Sequence, residues 1–315
     1  MRAAVVVPNW NGRRWLPGLL DSLEAQTLSP DEVVVVDNGS GDDSVAYLRS
    51  RGVEVVELGR NTGFAFAANR GIEAVSAEAV ALVNTDVVLA PDWLERAVGA
   101  LGDGVGSVAT KMVLLDDPGV IDDAGDELRR DGVAHQRAHG RRDDGRFDAA
   151  GEVFSACAGA GLYRRSAVVG VGLFDERLFS YLEDVDLGLR LRLAGWRCAY
   201  EPAVARHARH GSSGQLERSV DAWVARNTLL LVAKAFPPRW VGPVAYRQLS
   251  WIAEAAREGR LREHLRGLAM AVPALPAMLR ARRRLRRTAV VPMESVVPDL
   301  PWRGPTAGGH PSSSY

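Results

Sequence analysis

The sequence predicts an open, doubly wound α/β domain followed by a helical, basic C-terminal extension. Three observations carry this. Through residues 3–101, short apolar runs alternate with amphipathic helical patterns. The residues directly after each apolar run are polar and turn-forming. Charge is divided along the chain: residues 1–210 carry 23 Lys and Arg against 32 Asp and Glu, and residues 211–315 carry 16 against 7.

The elements follow in order. Ala3–Val7 and Val33–Val36 are continuous apolar runs, as expected of parallel strands covered by helices on both faces. Val53–Leu58 and Ala79–Val83 are the next two strands. Trp15, Leu16, Leu19, Leu20 and Leu23 form a helical stripe between the first two. Gly63–Val75 and Pro91–Leu101 supply further helices, and Pro91 suits a first helical turn. Residues 116–150 are acidic, rich in Arg and Gly and with little period, which predicts a long exposed loop or an excursion near an acceptor. Glu183–Ala194 reads as a helix with Val185, Leu189 and Leu193 on one stripe. From Glu217 to about Arg287 the chain reads as helical and basic. The expected organisation is one domain over 1–214, in two halves (1–115 and 150–214). A basic helical extension (215–290) and a disordered tail (291–315) follow.

Composition excludes several classes. At 315 residues, 47% hydrophobic and 25% charged, the chain is neither disordered, collagen-like nor a coiled coil. All 39 basic residues except Lys111 and Lys234 are arginine, which reflects genome composition before function. Cys157 and Cys198 provide neither a disulfide framework nor metal spacing, so a reducing cytosol is expected. No signal peptide is expected, since no charged segment precedes the first apolar run as a leader requires. No run of 18 apolar residues exists to span a bilayer.

In open α/β sheets, ligands bind beyond the carboxyl ends of the strands. Four polar clusters fall there: Pro8-Asn9-Trp10-Asn11-Gly12, Asp37-Asn38-Gly39-Ser40, Arg60-Asn61-Thr62-Gly63 and Asn84-Thr85-Asp86. Each alone is ordinary turn chemistry; all four on one sheet edge form a ligand-site pattern. Asn69 follows on the third helix. The second half continues with Gly159-Ala160, Gly172-Leu173-Phe174-Asp175-Glu176 and Tyr181-Leu182-Glu183-Asp184-Val185-Asp186-Leu187. Gly195-Trp196 and His207, then Ser212-Ser213, complete the series.

In this order and spacing the motifs, over roughly residues 3–215, resemble family 2 glycosyltransferases, and within them the rhamnosyltransferase-like branch. The resemblance implies a GT-A fold, a nucleotide-diphosphate sugar donor, a divalent metal (Mg²⁺ or Mn²⁺) and inversion at the anomeric carbon. By this resemblance the 1–115 half is expected to be nucleotide-binding and the 150–214 half acceptor-side and catalytic. It implies that Asp37 contacts a pyrimidine base; as a residue Asp37 also suits a helix cap, a role open to Asp42 or Asp43. Pro8 and Trp10 would wall the nucleotide pocket, Arg60 and Asn61 would reach ribose or phosphate, and Asn69 and Asn84 would join the nucleotide site. Asn84 replaces the first carboxylate of the commoner Asp-x-Asp motif and leaves Asp86 as the principal carboxylate for metal, with His207 completing the site. The same resemblance puts the general base at Asp184, with Glu183 and Asp186 orienting the acceptor or supporting the base. Acidic residues in a first helical turn are also ordinary dipole partners.

Residues 265–279 are apolar but broken by Pro273 and Pro276, and six arginines follow between Arg280 and Arg287. Together they have the composition of an interfacial anchor on an anionic membrane, with Leu268, Met270, Leu275 and Met278 among the inserted side chains. A solvated Arg-rich helix has the same composition. No nucleic-acid partner is expected, because no aromatic residue interleaves with the arginines. The expected reaction is transfer of a sugar, rhamnose from dTDP-rhamnose, to a lipid-linked or polysaccharide acceptor in cell-envelope glycan synthesis. The expected location is the cytoplasmic face of the cell membrane, held peripherally. Two alternatives stand beside it. A sugar-phosphate nucleotidyltransferase would carry a glycine-rich phosphate loop with Arg and Lys, whereas Asn9–Arg14 holds one glycine and no lysine. An inactive membrane-surface adaptor would not need Asp86 and Asp184.

Overall fold

Val5 and Val7 point to one side of the first strand, Ala4 and Val6 to the other, and all four are fully buried. That two-sided burial is why the run is continuous rather than alternating. The computed structural model describes residues 1–208 and 217–299. Its nucleotide-side half runs β1 (Ala3–Asn9), α1 (Leu16–Glu24), β2 (Glu32–Asp37), α2 (Ser44–Ser50), β3 (Glu54–Glu57), α3 (Phe64–Ala74) and β4 (Ala79–Val83). β3, β2, β1 and β4 lie side by side and parallel, with Val5 opposite Val33 and Ala81. Each strand therefore ends at the same edge.

β5 (Val87–Leu89), α4 (Trp93–Ala100), β6 (Val105–Leu114), β11 (Ala160–Arg164) and β12 (Arg197–His207) extend the sheet. β11 runs antiparallel between β4 and β6, and β12 runs parallel to β6. α1, α2 and α4 cover one face, and Leu16, Leu19, Leu48, Trp93 and Leu94 are buried beneath them. α3, α5 (Arg165–Gly170) and α6 (Glu183–Leu193) cover the other face with Ile72, Val168, Phe174 and Leu187. Each fully buried Leu or Val contributes about 1.5–3 kcal/mol to folding. The expected α/β class and the parallel strands of the N-terminal half are both present.

Part of the segment expected as an exposed loop or excursion is instead folded into the body: it forms β7 (Ile121–Asp123), β8 (Asp126–Leu128) and β9 (Ala134–Gln136), whereas residues 140–150 are mostly exposed and carry no strand before β10 (Gly151–Val153). Residues 121–126 are all buried. Three-residue strands are too short to display a period, which is why the pattern was unreadable.

The extension forms α7 (Glu217–Ala235), α8 (Val241–Arg257), α9 (Leu261–Ala271), α10 (Leu275–Thr288) and α11 (Met293–Val296). α7 packs on the body through Leu230 and Leu231. Met278, expected at a membrane, is fully buried against Leu178, Leu230 and Ala271, and Leu275 packs beside it. The tail expected to be disordered from 291 is ordered through residue 299: Val296 and Val297 are buried, and the Val290 and Val291 amides donate to the Leu193 carbonyl. Residues 300–315 and the Ser212-Ser213 pair lie outside the described residues.

Candidate active site

A cavity of about 220 Å³ opens where β1, β2 and β4 end. The first strand ends supply Pro8, Asn9 and Trp10; the next supply Asn38, Asn61, Gly63 and Asn84. Its far wall is Cys157–Gly159 and the run Phe179–Asp184, and its flank is Asp122, Asp126, Gln136, His139 and His207.

Of the expected site residues, Pro8, Trp10, Asn61, Asn84, Glu183, Asp184 and His207 line this cavity. Asp37 lies beneath it, buried, where Oδ1 accepts from Asn9 Nδ2 (2.8 Å) and Ser40 Oγ (2.5 Å) and Oδ2 accepts from the Ser40 amide. Asp86 is buried behind His207, its Oδ1 3.6 Å from Nε2. Neither Asp37 nor Asp86 is in the cavity lining, and three more of the expected residues are directed elsewhere. Arg60 is exposed; its backbone packs on Gly39, where φ is +76° and a Cβ would sit 2.4 Å from Arg60 Cα. Asn69 is buried and ties α3 to the Phe174 turn, donating to the Phe174 carbonyl and accepting from its amide. Asp186 is 1% exposed and faces α7, held by Arg190 and Lys234.

Several lining residues were absent from the sequence-derived set. Asn38 organises the nucleotide edge: its Oδ1 accepts from the Thr62 amide and hydroxyl, each at 2.8 Å, and its Nδ2 donates to the Gly63 carbonyl. Its signal was present, inside the Asp37–Ser40 cluster. Asp122, Asp126, Gln136 and His139 come from the segment read as a loop. For Asp122 and Asp126 the only signal was acidity, which in an unfolded-looking stretch reads as solvation, and Gln136 and His139 carried none.

The wall that carries Glu183 and Asp184 is acidic. Asp184 Oδ1 accepts from the Val185 amide (2.8 Å) and Oδ2 from the Ala158 amide (3.2 Å). Burial raises its pKa above the ordinary carboxylate range, and those backbone amides oppose the rise. Burial and the neighbouring Asp184 charge push Glu183 up further, and its Oε2 is buried without a hydrogen-bond partner. Asp123 is pushed up to about 8 by burial and by Asp122 and Asp184. Asp126 rises with it and accepts from Ser155 Oγ. Like charges this close hold protons at neutral pH or await a cation or polar ligand.

The opposite flank is organised for charge. His207 Nδ1 donates to Asp122 Oδ2 at 2.7 Å. Burial disfavours the imidazolium, but Asp122 and Asp86 outweigh it and raise the His207 pKa to about 10. Among the described residues no three His, Cys, Asp or Glu side chains are arranged to hold a metal ion. Asp86 and His207 together are a partial donor set, one oxygen and one nitrogen ligand. Such donors fit a divalent ion only if a substrate completes its ligands.

A sheet edge carrying Asn38, Asn61 and Asn84 faces Glu183 and Asp184 across one cavity, and the mixed α/β sheet that positions both is of GT-A type. The glycosyl transferase family 2 model matches residues 4–171, and the chain belongs to that family. It is a glycosyltransferase. It is 30% identical over 298 residues to the N-acetylglucosaminyl-diphospho-decaprenol L-rhamnosyltransferase of Mycobacterium tuberculosis, covering 82% of this chain and 95% of that protein. It is 32% identical to the pre-mycofactocin glycosyltransferase of the same organism over 77% of this chain and 47% of that one. Among solved structures, GalNAc-T7 with UDP, GalNAc and Mn²⁺ matches at a TM-score of 0.62 and 15% identity, over 76% of this chain and 48% of that one. The mannosyltransferase PcManGT of Pyrobaculum calidifontis, in complex with GDP-Man and Mn²⁺, matches at 0.56 and 19% identity, over 91% of this chain and 80% of that one. These two likenesses concern the fold.

Proposed function

We propose that the chain transfers rhamnose from dTDP-rhamnose, with inversion, to a lipid-linked acceptor in cell-envelope glycan synthesis. The observation that carries this is the half-buried Asp184 carboxylate lining the same cavity as Asn38, Asn61 and Asn84. Likeness to a rhamnosyltransferase that, by its name, acts on a decaprenol-linked sugar supports the choice of sugar and acceptor class.

In this reading the sheet edge holds the nucleotide. Pro8 and Trp10 wall the base, and Asp37 receives its imide N–H, with Asn9 and Ser40 orienting the carboxylate. Asn61 and Asn84 bind ribose or diphosphate oxygens. Asp86 and His207 would hold a divalent ion, which when bound neutralises charge on the departing diphosphate. Asp184 accepts the proton of the acceptor hydroxyl as that oxygen attacks the anomeric carbon from the face opposite the leaving group. Its backbone amide bonds fix the carboxylate before substrate arrives, and its raised pKa makes it a stronger base than an exposed aspartate. Glu183, beside it, binds an acceptor hydroxyl. Burial of the wall excludes water as a competing acceptor.

The extension would bring this site to the cytoplasmic membrane surface. No helix among the described residues is long and apolar enough to cross a membrane. Val241, Tyr246, Leu249, Leu265, Val272 and Leu279 are exposed, as are Arg280, Arg283, Arg284, Arg286 and Arg287. Exposed apolar side chains with a polybasic cluster suit the interface of an anionic bilayer.

The test is a panel of dTDP-, UDP- and GDP-sugars incubated with the protein and Mg²⁺ or Mn²⁺, read by donor hydrolysis and thermal stabilisation. Divalent-dependent response to dTDP-rhamnose above the others is expected. A preference for another donor overturns the sugar assignment while leaving the transferase.

A further inference from the structure

The run that carries the base into the cavity has a backbone that its own sequence does not favour. Phe179, Tyr181 and Leu182 have φ of 66°, 70° and 64°, and none is glycine. Phe179 has ψ of −69°, and the Ser180 amide donates to the Leu178 carbonyl at 2.8 Å, closing a three-residue turn of the rare, strained hand. Such conformations persist only where the surroundings over-determine them. Leu182 is the residue from which α6 starts, so the direction of Glu183 and Asp184 depends on this run.

Two elements hold it. On one side is the start of α3. The Ala65 amide donates to the Phe179 carbonyl at 3.1 Å, and Gly63 (φ +87°) leaves room that a Cβ, 2.5 Å from the Phe179 ring, would take. On the other side is α7. The Asn227 side chain is fully buried, and its Nδ2 shares its two hydrogens among the Leu178, Ser180 and Tyr181 carbonyls at 2.8, 2.8 and 2.7 Å. Three carbonyls can only accept, so the amide orientation is determined by chemistry. Its Oδ1 is occupied by Arg226 Nη1 at 2.7 Å. One turn earlier, the Trp223 ring stacks on Phe179, with centroids 4.7 Å apart and planes at 13°.

We infer that Asn227 is a positioning residue of the transferase: through its amide, α7 clamps residues 178–182 in a strained form that aims Asp184 into the cavity. The extension is thereby part of the catalytic machinery. The inference rests on the assignment of Asp184 as base, and its structural half stands without it.

The experiment compares the full-length parent, Asn227→Ala, Asp184→Asn and the double variant. Turnover is measured on whichever donor of the panel the parent turns over, and binding of UDP and dTDP with Mn²⁺ is measured beside it. Asn227→Ala should lower kcat at least tenfold with nucleotide Kd changed less than threefold, and amide exchange of residues 178–184 should accelerate. The double variant should be no slower than Asp184→Asn, because residues acting as a unit are not additive. Unchanged exchange or unchanged kcat in a folded Asn227→Ala protein overturns the clamp. Additive losses overturn its action through Asp184. Near-parent turnover of Asp184→Asn overturns the base instead, and exchange alone then decides the clamp. If Asn227→Ala does not fold, Trp223→Leu removes the ring stack, keeps the amide and carries the same comparison with the same reversing outcomes.

Discussion

Lys234 Nζ of α7 lies 2.7 Å from Asp186 Oδ1 of α6 and 2.7 Å from Asp175 Oδ2, and all three side chains are buried. Arg177 and Arg190 complete the cluster. It ties the extension to the helix that bears Asp184, so the acidic body and the basic tail meet in one ion network.

Lys234→Met should therefore destabilise the protein strongly, by about 3–5 kcal/mol, because two buried carboxylates lose their shared cation. Burial alone would raise the Asp175 pKa, yet Arg177 and Lys234 hold it well below the ordinary range. A depressed folded pKa contributes stability that is present above the unfolded value and lost as pH falls through the folded one. The gap between parent and variant should be full at pH 7, persist at pH 4 and shrink only below that. Urea unfolding at several pH values measures it; a gap that is constant with pH removes the assignment.

Asp184→Asn keeps shape and cannot take a proton. Turnover should fall roughly 10²–10⁴-fold with little change in nucleotide affinity. In the parent, kcat should rise with pH through an apparent pKa above that of an exposed aspartate, since the base must be ionised and burial disfavours that form. A rate that is flat from pH 4 upward would remove Asp184 as the titrating group.

Asp86→Ala should abolish divalent-dependent nucleotide binding while the fold survives. Isothermal titration with UDP or dTDP, with and without Mn²⁺, reads it. Parent-like metal dependence would move the ion elsewhere, with Asp122, hydrogen-bonded to His207, the first residue to substitute next.

Membrane attachment is tested on the full chain, because truncation within α10 would remove the buried Met278. Replacing Arg283, Arg284, Arg286 and Arg287 with Glu, or Leu265, Val272 and Leu279 with Ser, should each lower co-sedimentation with anionic liposomes. Binding of the parent should weaken with salt, since surface charges are screened over about 8–10 Å at physiological ionic strength. Equal recovery of parent and variants would leave the arginines as a solvated helix.

Much of the site was legible because its signals are local. A strand end followed by Asn, Asp or Gly can be read from a few residues, and so Pro8, Trp10, Asn61 and Asn84 were found where they line the cavity. Acidic residues at a helix start are equally local, which exposed Glu183 and Asp184. The same rule failed for Asp186: three acidic residues in one first turn look alike in sequence, but a helix turns each about 100° from the last. Asp184 thus faces the cavity and Asp186 faces Lys234, 48 residues away. Asn69 and Arg60 miss the cavity for the same reason, since a motif gives position along the chain but not the direction of a side chain.

The sequence by itself determined the four parallel N-terminal strands, the amphipathic helix between the first two and the family, because two-sided burial and turn chemistry are imprinted residue by residue. Only the tertiary structure decided that residues 121–139 flank the site, that Met278 is core and that α7 grips the run leading to Asp184. Those outcomes depend on contacts between segments far apart in the chain. The Asn227 amide, for instance, meets carbonyls 46–49 residues away, a pairing that carries no local period and exists only once both elements have docked.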